Sequence, residues 1–409
     1  MIEASSQQVR VSAYLAISAL LSLANWMLLL LPSFLEQQSW SSSSIGWAMG
    51  IFFLVSLVVQ IFAGYLANRV GNVPTALLGT GIAGVGGLFY ILALWTPAVI
   101  FAARVLHGAG AALVTAGVLI QLLQSVPQQL KGRMLGYFGL PGFIMLGLGP
   151  LASEWFIVRW GFSGTFTTLL ILFGAIAWVL TRLQRPIVPA HFKRQPFLLV
   201  LRETFPNLRS ILMFSVLFGF CFSAWNSFLA PTLQGMGAGA VSSFGIGYAL
   251  GAVTSRLGIS PRLEAGHRRL MGVSMLVLYG VALALIPQAY SIWQVLAIGT
   301  ACGLGHGAYY PSLSSLAAER FHPLHAGQAM TIYISASSLG MFVGPPIWGV
   351  LLDSLGAPIM FAVAGSLLVA ATTSFVFSQR GIAGASEESK NPKDPRANPR
   401  SCTSDYSTP

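Results

Sequence analysis

A few residues of this chain carry chemistry where their neighbours carry none. Arg104 interrupts an apolar stretch at 97–124, Glu154 another at 133–158, and His107 and His306 sit in glycine-rich apolar runs. A charged or titratable group within such a stretch is costly unless it is paired or faces water, so each is a functional candidate by position. Arg104 lies about seven residues into its stretch, roughly 10 Å at 1.5 Å per residue. It either couples charge within the protein or braces helix ends through backbone carbonyls. Glu154 is the one carboxylate well inside an apolar stretch, a turn beyond Gly149-Pro150 and at a depth similar to Arg104. That makes Arg104 its natural partner and Glu154 a candidate proton site, since burial and a nearby cation pull a carboxyl's protonation in opposite directions. The bland alternative is an interfacial carboxylate near Arg159.

His107 and His306 are of the type that titrates near neutrality; the plain alternative is a neutral histidine bonded to a neighbouring helix. His306 lies in Gly303-Leu304-Gly305-His306-Gly307-Ala308-Tyr309-Tyr310-Pro311, where small residues let helices approach and two tyrosines offer hydroxyls. Asn25-Trp26 and Trp225-Asn226 pair an amide that wants partners with a flat apolar indole, and they serve either as cargo contacts or as helix-packing groups. No Cys, Asp or Glu stands near the histidines at ligand spacing, so no metal site is expected. The glycines from Gly79 to Gly87 lack a Gly-Lys-Ser/Thr sequence, which excludes a nucleotide cofactor and an ATP-driven pump. With no hydrolytic constellation visible either, the chain is not read as an enzyme and no cofactor is expected.

The elements that must position these residues follow from composition. The 409 residues are 55% hydrophobic and only 8% charged, against about 25% charged in ordinary soluble domains. That excludes a cytosolic enzyme, a disordered protein and a nucleic-acid binder, despite the net charge of +11. It predicts an all-α membrane protein whose partner is the lipid bilayer, with continuous apolar runs in place of the alternation of membrane strands. Twelve spans are expected: 11–35, 45–67, 73–95, 97–124, 133–158, 163–183, 208–232, 243–260, 269–289, 291–317, 328–353 and 357–378. The eighth is short and interrupted by Arg256. With the N-terminus in the cytoplasm, 20 of the 22 basic residues, Arg256 among them, fall on the cytoplasmic face and Arg159 alone on the other. This asymmetry predicts a multi-pass protein of the cytoplasmic (inner) cell membrane with both termini inside. The three cysteines are expected to be free thiols.

The longest interior connection divides the chain into a six-helix bundle at 1–183, a cytoplasmic loop at 184–207 and a second six-helix bundle at 208–379. Residues 380–409, rich in Ser, Pro, Lys, Glu and Asn, are expected to form a disordered cytoplasmic tail. The halves repeat at an offset of 195. Gly71 falls on Gly266, Gly108 on Gly303, Gly110 on Gly305, Gly132 on Gly327, Gly149-Pro150 on Gly344-Pro345, Gly161 on Gly356 and Phe166 on Phe361. Two similar bundles suggest a transporter rocking about a site between its halves.

At this point the chain resembles the major facilitator superfamily. Gly64-Tyr65-Leu66-Ala67-Asn68-Arg69-Val70-Gly71 is similar to that family's loop between its second and third helices, and Arg104 to Ala112 is similar to its fourth-helix pattern. Gly136 with Gly149-Pro150 partly matches the fifth-helix motif of antiporters. Asn68 stands where the loop motif usually has Asp, and Asn72-Val73 replaces its usual paired basic residues. The resemblance implies two pseudo-symmetric six-helix bundles, alternating access, and a central cavity lined by the first and seventh helices. It also implies charge coupling at Arg104 with Glu154, His107 and His306 as proton groups, and conformational roles for Gly64, Asn68, Arg69, Gly71, Gly108, Gly149, Pro150, Gly344 and Pro345. Asn25, Trp26, Trp225, Asn226, Tyr309 and Tyr310 then become candidate cargo contacts. The expected function is proton-coupled efflux of a small amphiphilic or drug-like solute by a monomer. A metabolite or sugar importer or exporter, a lipid flippase and a non-transporting sensor or scaffold are the alternatives.

Overall fold

The computed structural model describes residues 2–127, 130–183, 197–259, 268–318 and 326–388, and the described residues are helical with short connections. In chain order the helices are α1 (2–37, tightened to a 3₁₀ turn at Leu28–Leu30), α2 (Ser42–Val70), α3 (Asn72–Leu92) and α4 (Ile100–Gln124). Then come α5 (131–160), α6 (162–182), α7 (Phe197–Leu233) and α8 (240–259, closing in a π turn at Ser255–Ile259). The series ends with α9 (268–284), α10 (Ile292–Ala318), α11 (326–355) and α12 (357–388). The halves form an all-α membrane fold that follows the expected spans in order. Seven helical stretches are long and apolar enough to cross a membrane, and the two longest, Tyr137–Arg182 and Ser335–Gln379, are each broken in the middle. α8, α9 and α10 supply the remaining apolar segments.

Both breaks are glycines with positive φ, Gly161 at 64° and Gly356 at 79°, so each long stretch turns where a side chain would be strained. They occupy equivalent positions of the repeat, and the buried Phe166 and Phe361 follow each by five residues. Other repeat glycines mark helix crossings of matching kind. A Cβ on Gly110 would strike the Gly79 carbonyl oxygen between α4 and α3. One on Gly305 would strike the Met275 carbonyl between α10 and α9. Gly149 admits Trp26 of α1 against α5, and Gly344 admits Phe220 and Ser223 of α7 against α11. Small residues at such crossings let helices pack where lipid supplies no hydrophobic drive.

The outer surface is as apolar as the interior. Phe62, Ile171, Trp178, Met213 and Phe377 are each more than 60% exposed, as expected for side chains facing acyl chains. Three expectations shift. α7 begins at Phe197, inside the segment read as a loop, whose remainder at 184–196 lies outside the described residues. α12 continues to Glu388, into the segment read as a tail; 389–409 lie outside the described residues, as do Gly266 and its surroundings. Arg256, read by sequence as an interruption of the eighth span, sits in the π turn that continues α8, half-buried between Phe143 and Tyr310.

Candidate functional site

A cavity of about 270 Å³ lies between the halves, near the small end of the roughly 300–1,000 Å³ common for ligand pockets. Each half gives it three helices. From α1 come Ser22, Asn25 and Trp26, from α2 Met49, Phe52 and Phe53, and from α4 Arg104. From the second half come Phe218, Phe222 and Asn226 of α7, His306, Tyr309 and Tyr310 of α10, and Ser337 and Met341 of α11. The walls are mostly ring and thioether. The polar groups are two amides, a guanidinium, an imidazole and a few hydroxyls, and no carboxylate lines the cavity among the described residues.

Arg104 is 4% exposed. Its Nε donates to the Ala48 carbonyl at 3.1 Å and a terminal nitrogen donates to the Met49 carbonyl at 3.0 Å. The guanidinium carbon sits 4.6 Å from the centre of the Phe52 ring, a cation–π contact. The bonds to α2 fix the guanidinium at the cavity wall. It does not pair with Glu154 as depth alone suggested, because the two side chains leave their helices toward different neighbours. His306 shares a hydrogen bond between Nδ1 and the Tyr248 hydroxyl while its ring lines the cavity.

Two candidates stand off the cavity. His107 is fully buried behind it, its Nδ1 3.2 Å from the Tyr90 hydroxyl and its ring packed against Phe52 and Phe173. Trp225 is buried as well, donating from Nε1 to the Tyr279 hydroxyl and stacking on Trp26 of the other half at 6.1 Å and 9°. The ring wall of Phe52, Phe218 and Phe222 and the partners Tyr248 and Tyr279 are the residues sequence reasoning passed over. Twenty-six phenylalanines, present in most of the expected spans, gave no signal to separate them.

Next to the cavity the halves meet along two seams, at the end bearing the α1–α2 and α7–α8 turns. In the α2/α11 seam, a Cβ on Gly46 would overlap the Pro345 carbonyl and one on Gly349 the Ser42 carbonyl. The Asp353 carboxylate accepts from the Ser42 and Ser43 amides at 2.9 and 3.0 Å, capping α2 from the opposite half. In the α5/α8 seam, Gly245 meets the Leu146 carbonyl. There Glu154 caps α8 from the opposite half, its Oε1 accepting from the Val241 amide at 3.1 Å and the Ser242 amide at 3.4 Å. The Glu154 side chain is therefore a cross-half link at the mouth of α8. Among the described residues no group of acidic residues, His and Cys is arranged to hold a metal ion.

The paired bundles and their shared cavity have counterparts among known proteins. The Major Facilitator Superfamily model matches residues 15–263 and 259–404. The chain belongs to the major facilitator superfamily. An MFS-type transporter of Burkholderia mallei is 23% identical over 382 residues, covering 88% of this chain and 89% of its own. Another, from Mycobacterium tuberculosis, is 28% identical over 160 residues, 39% of this chain and 27% of its own. Among solved structures, a bacterial homologue of the human lysosomal transporter Spinster, in an inward-facing and occupied conformation, aligns with TM-score 0.72 at 15% identity. It covers 90% of this chain and 96% of that one. A nucleoside transporter, NupG, aligns at 0.70 and 17% identity over 90% and 98%. The human organic anion transporter MFSD10 aligns at 0.67 and 17% over 90% and 99%. At these identities the likeness is one of fold.

Of the residues expected to have conformational roles, Gly64, Asn68, Arg69 and Gly71 lie at or near the tight joint of α2 and α3. Gly71 (φ 99°) is the single residue between those helices. Gly64 is buried, whereas Asn68 and Arg69 are exposed. Where the superfamily motif usually has paired basic residues, Asn72 donates from Nδ2 to Gln121 Oε1 at 2.9 Å and to Gln124 Oε1 at 2.7 Å, tying the start of α3 to the end of α4. Gly108 seats α4 on the Phe52 carbonyl of α2. Pro150 and Pro345 lie inside α5 and α11, Pro345 in its seam against Gly46 and Pro150 between the seam residues Leu146 and Glu154.

Proposed function

We propose that this member of the major facilitator superfamily is a secondary active transporter moving a small amphiphilic or drug-like solute across the cytoplasmic membrane by alternating access. Proton-coupled efflux is the working direction. The observation that carries the reading is the cavity of aromatic walls and few polar groups, built by three helices from each half and adjoining two seams that join those halves. The Lys and Arg asymmetry supports both termini inside; in that orientation the seamed end faces away from the cytoplasm, and we read the arrangement as inward-facing. In this reading Asn25, Trp26, Asn226, Tyr309 and Tyr310 contact cargo, and Trp225 backs Trp26 from the other half. Glu154 and His306 are the proton groups, with Arg104 between them in function. His107, buried away from cavity and seams, holds α4 in place. A monomer of two bundles joined through 184–207 is sufficient for the cycle.

The test is a thermal-stability screen of the purified protein with small organic compounds, followed by uptake of the stabilising compounds into proteoliposomes with and without a pH gradient. The reading expects counterflow of at least one compound and its accumulation in exchange for protons. In Glu154→Gln, counterflow should persist while proton-driven accumulation disappears. Accumulation driven in the same direction as the proton flux would reverse the assigned direction. Intact proton-driven transport in Glu154→Gln would remove that residue from the coupling path.

A further inference from the structure

The charge of the central cavity goes further than its shape. It contains one permanent cation, the Arg104 guanidinium, and no carboxylate among the described residues. The carboxylates of the described spans lie elsewhere. Glu154 caps α8 and Asp353 caps α2, and Glu36 and Glu203 are exposed near the ends of α1 and α7 that lie away from the cavity residues in sequence. Arg104 is anchored by carbonyl oxygens of α2, which orient the guanidinium without neutralising it. A cation held in an apolar cavity without a counter-ion exerts a field little screened by solvent, and the ligand that gains most from it is an anion.

Resting on the cargo-cavity reading above, we infer that the cargo is a monoanionic aryl compound, with its acid group at Arg104 and its ring system between Phe52, Phe218 and Phe222. The guanidinium presents planar paired donors that match the two oxygens of a carboxylate or sulfonate. Phe52 lies under Arg104 and continues the apolar wall toward the cavity, so head and body sites are contiguous. The side-chain oxygen of Asn25, which has no hydrogen-bond partner, offers an acceptor for a neutral donor elsewhere on the cargo. Cationic amphiphiles are the class the cavity excludes, because desolvating an ammonium here meets rings but no acid.

Three small probes test this without the natural cargo in hand. Calorimetric titration of the protein in lipid nanodiscs, with empty discs as blank, compares 2-naphthoate, 2-naphthamide and 2-naphthylmethylammonium, which share one ring system and differ in charge. The inference expects 2-naphthoate to bind at least tenfold tighter than the amide and the ammonium to bind weakest. Arg104→Lys should keep the preference for the acid, and Arg104→Gln should abolish it. The wild-type ligand series decides the question even if Arg104→Gln does not fold. Equal binding of acid and amide, or tighter binding of the ammonium, overturns the anion inference and leaves the cargo cavity standing. Saturable binding of none of the three overturns the cavity as cargo site, and the inference with it.

Discussion

The two seams between the halves are built to one plan and differ in one detail. Under the repeat offset of 195, Gly50 of the α2/α11 seam corresponds to Gly245 of the α5/α8 seam, and Gly344-Pro345 to Gly149-Pro150. In both, a helix N-terminus of one half receives a carboxylate from the other. The carboxylates themselves are not equivalent. Glu154 corresponds to Gly349, and Asp353, a turn further on, corresponds to Val158. Asp353 uses both oxygens on two amides and is exposed to solvent. Glu154 uses one oxygen, at longer distances, and is 8% exposed. The same interaction is thus a well-formed but screened clamp in one seam and a desolvated, incompletely satisfied one in the other. The buried copy is the one whose protonation has consequences for the joint, because water does not replace the bonds it loses.

This contrast is open to attack in descending order of effect. The largest change is expected from Gly46→Val, which places a side chain in the space of the Pro345 carbonyl. It should drive the α2/α11 seam open, more than tenfold in population. The opening is readable as a longer electron–electron distance between spin labels at Gln38 and Ser354 in a Cys402→Ser background, where the buried Cys221 and Cys302 stay unlabelled. Glu154→Ala comes next. Losing a partly buried cap and its charge at a helix N-terminus costs about 1–2 kcal/mol, so the seam should open up to about thirtyfold more often on the same distance scale. Asp353→Ala should cost less, about 0.3–1 kcal/mol for an exposed charge at a helix end, with an effect that shrinks further in high salt. An Asp353→Ala effect exceeding that of Glu154→Ala would reverse the ranking of the two clamps. The smallest change is expected from Gly81→Ala, where nothing lies within 4 Å of the added Cβ. The melting temperature should hold or rise slightly, since alanine favours helix over glycine by about 0.5–1 kcal/mol.

Much of the fold is legible from apolar length and glycine position. The helices follow the twelve expected spans, and the paired turns at Gly161 and Gly356 are visible as a repeat. The cavity is legible in part. Asn25, Trp26 and Asn226 stood out as amides and an indole in comparable places of the halves, and Tyr309 and Tyr310 as hydroxyls beside His306; all five line it, as do Arg104 and His306, whereas Trp225 does not. Pairings are a different matter. Arg104 and Glu154 share a depth, yet a helix side chain points in a direction that depth does not encode, and these two point to α2 and to α8. Arg256 looked like an interruption because a charge near the end of a weak span reads as a break; the π turn instead carries it half-buried against Phe143 and Tyr310. Asp353 had no sequence signal at all. An acid at a span end is ordinary, and only the arrival of α2 from the other half makes it a cap.

Arg104 also stands where cavity and seam meet. The carbonyls it holds, Ala48 and Met49, lie between Gly46 and Gly50, the two close-approach positions of the α2/α11 seam. A group drawn toward Arg104 from the cavity competes for the same donors that brace α2 beside that seam.

The stacked indoles of Trp26 and Trp225 give the molecule an optical signature of its own state. Two indoles with parallel planes 6.1 Å apart couple their electronic transitions, and the paired circular-dichroism bands that skewed in-plane transition moments produce fade steeply as the rings part. Because one indole belongs to each half, the difference spectrum between the unmodified protein and Trp26→Phe is a label-free record of the halves' separation, readable in real time without a spin probe.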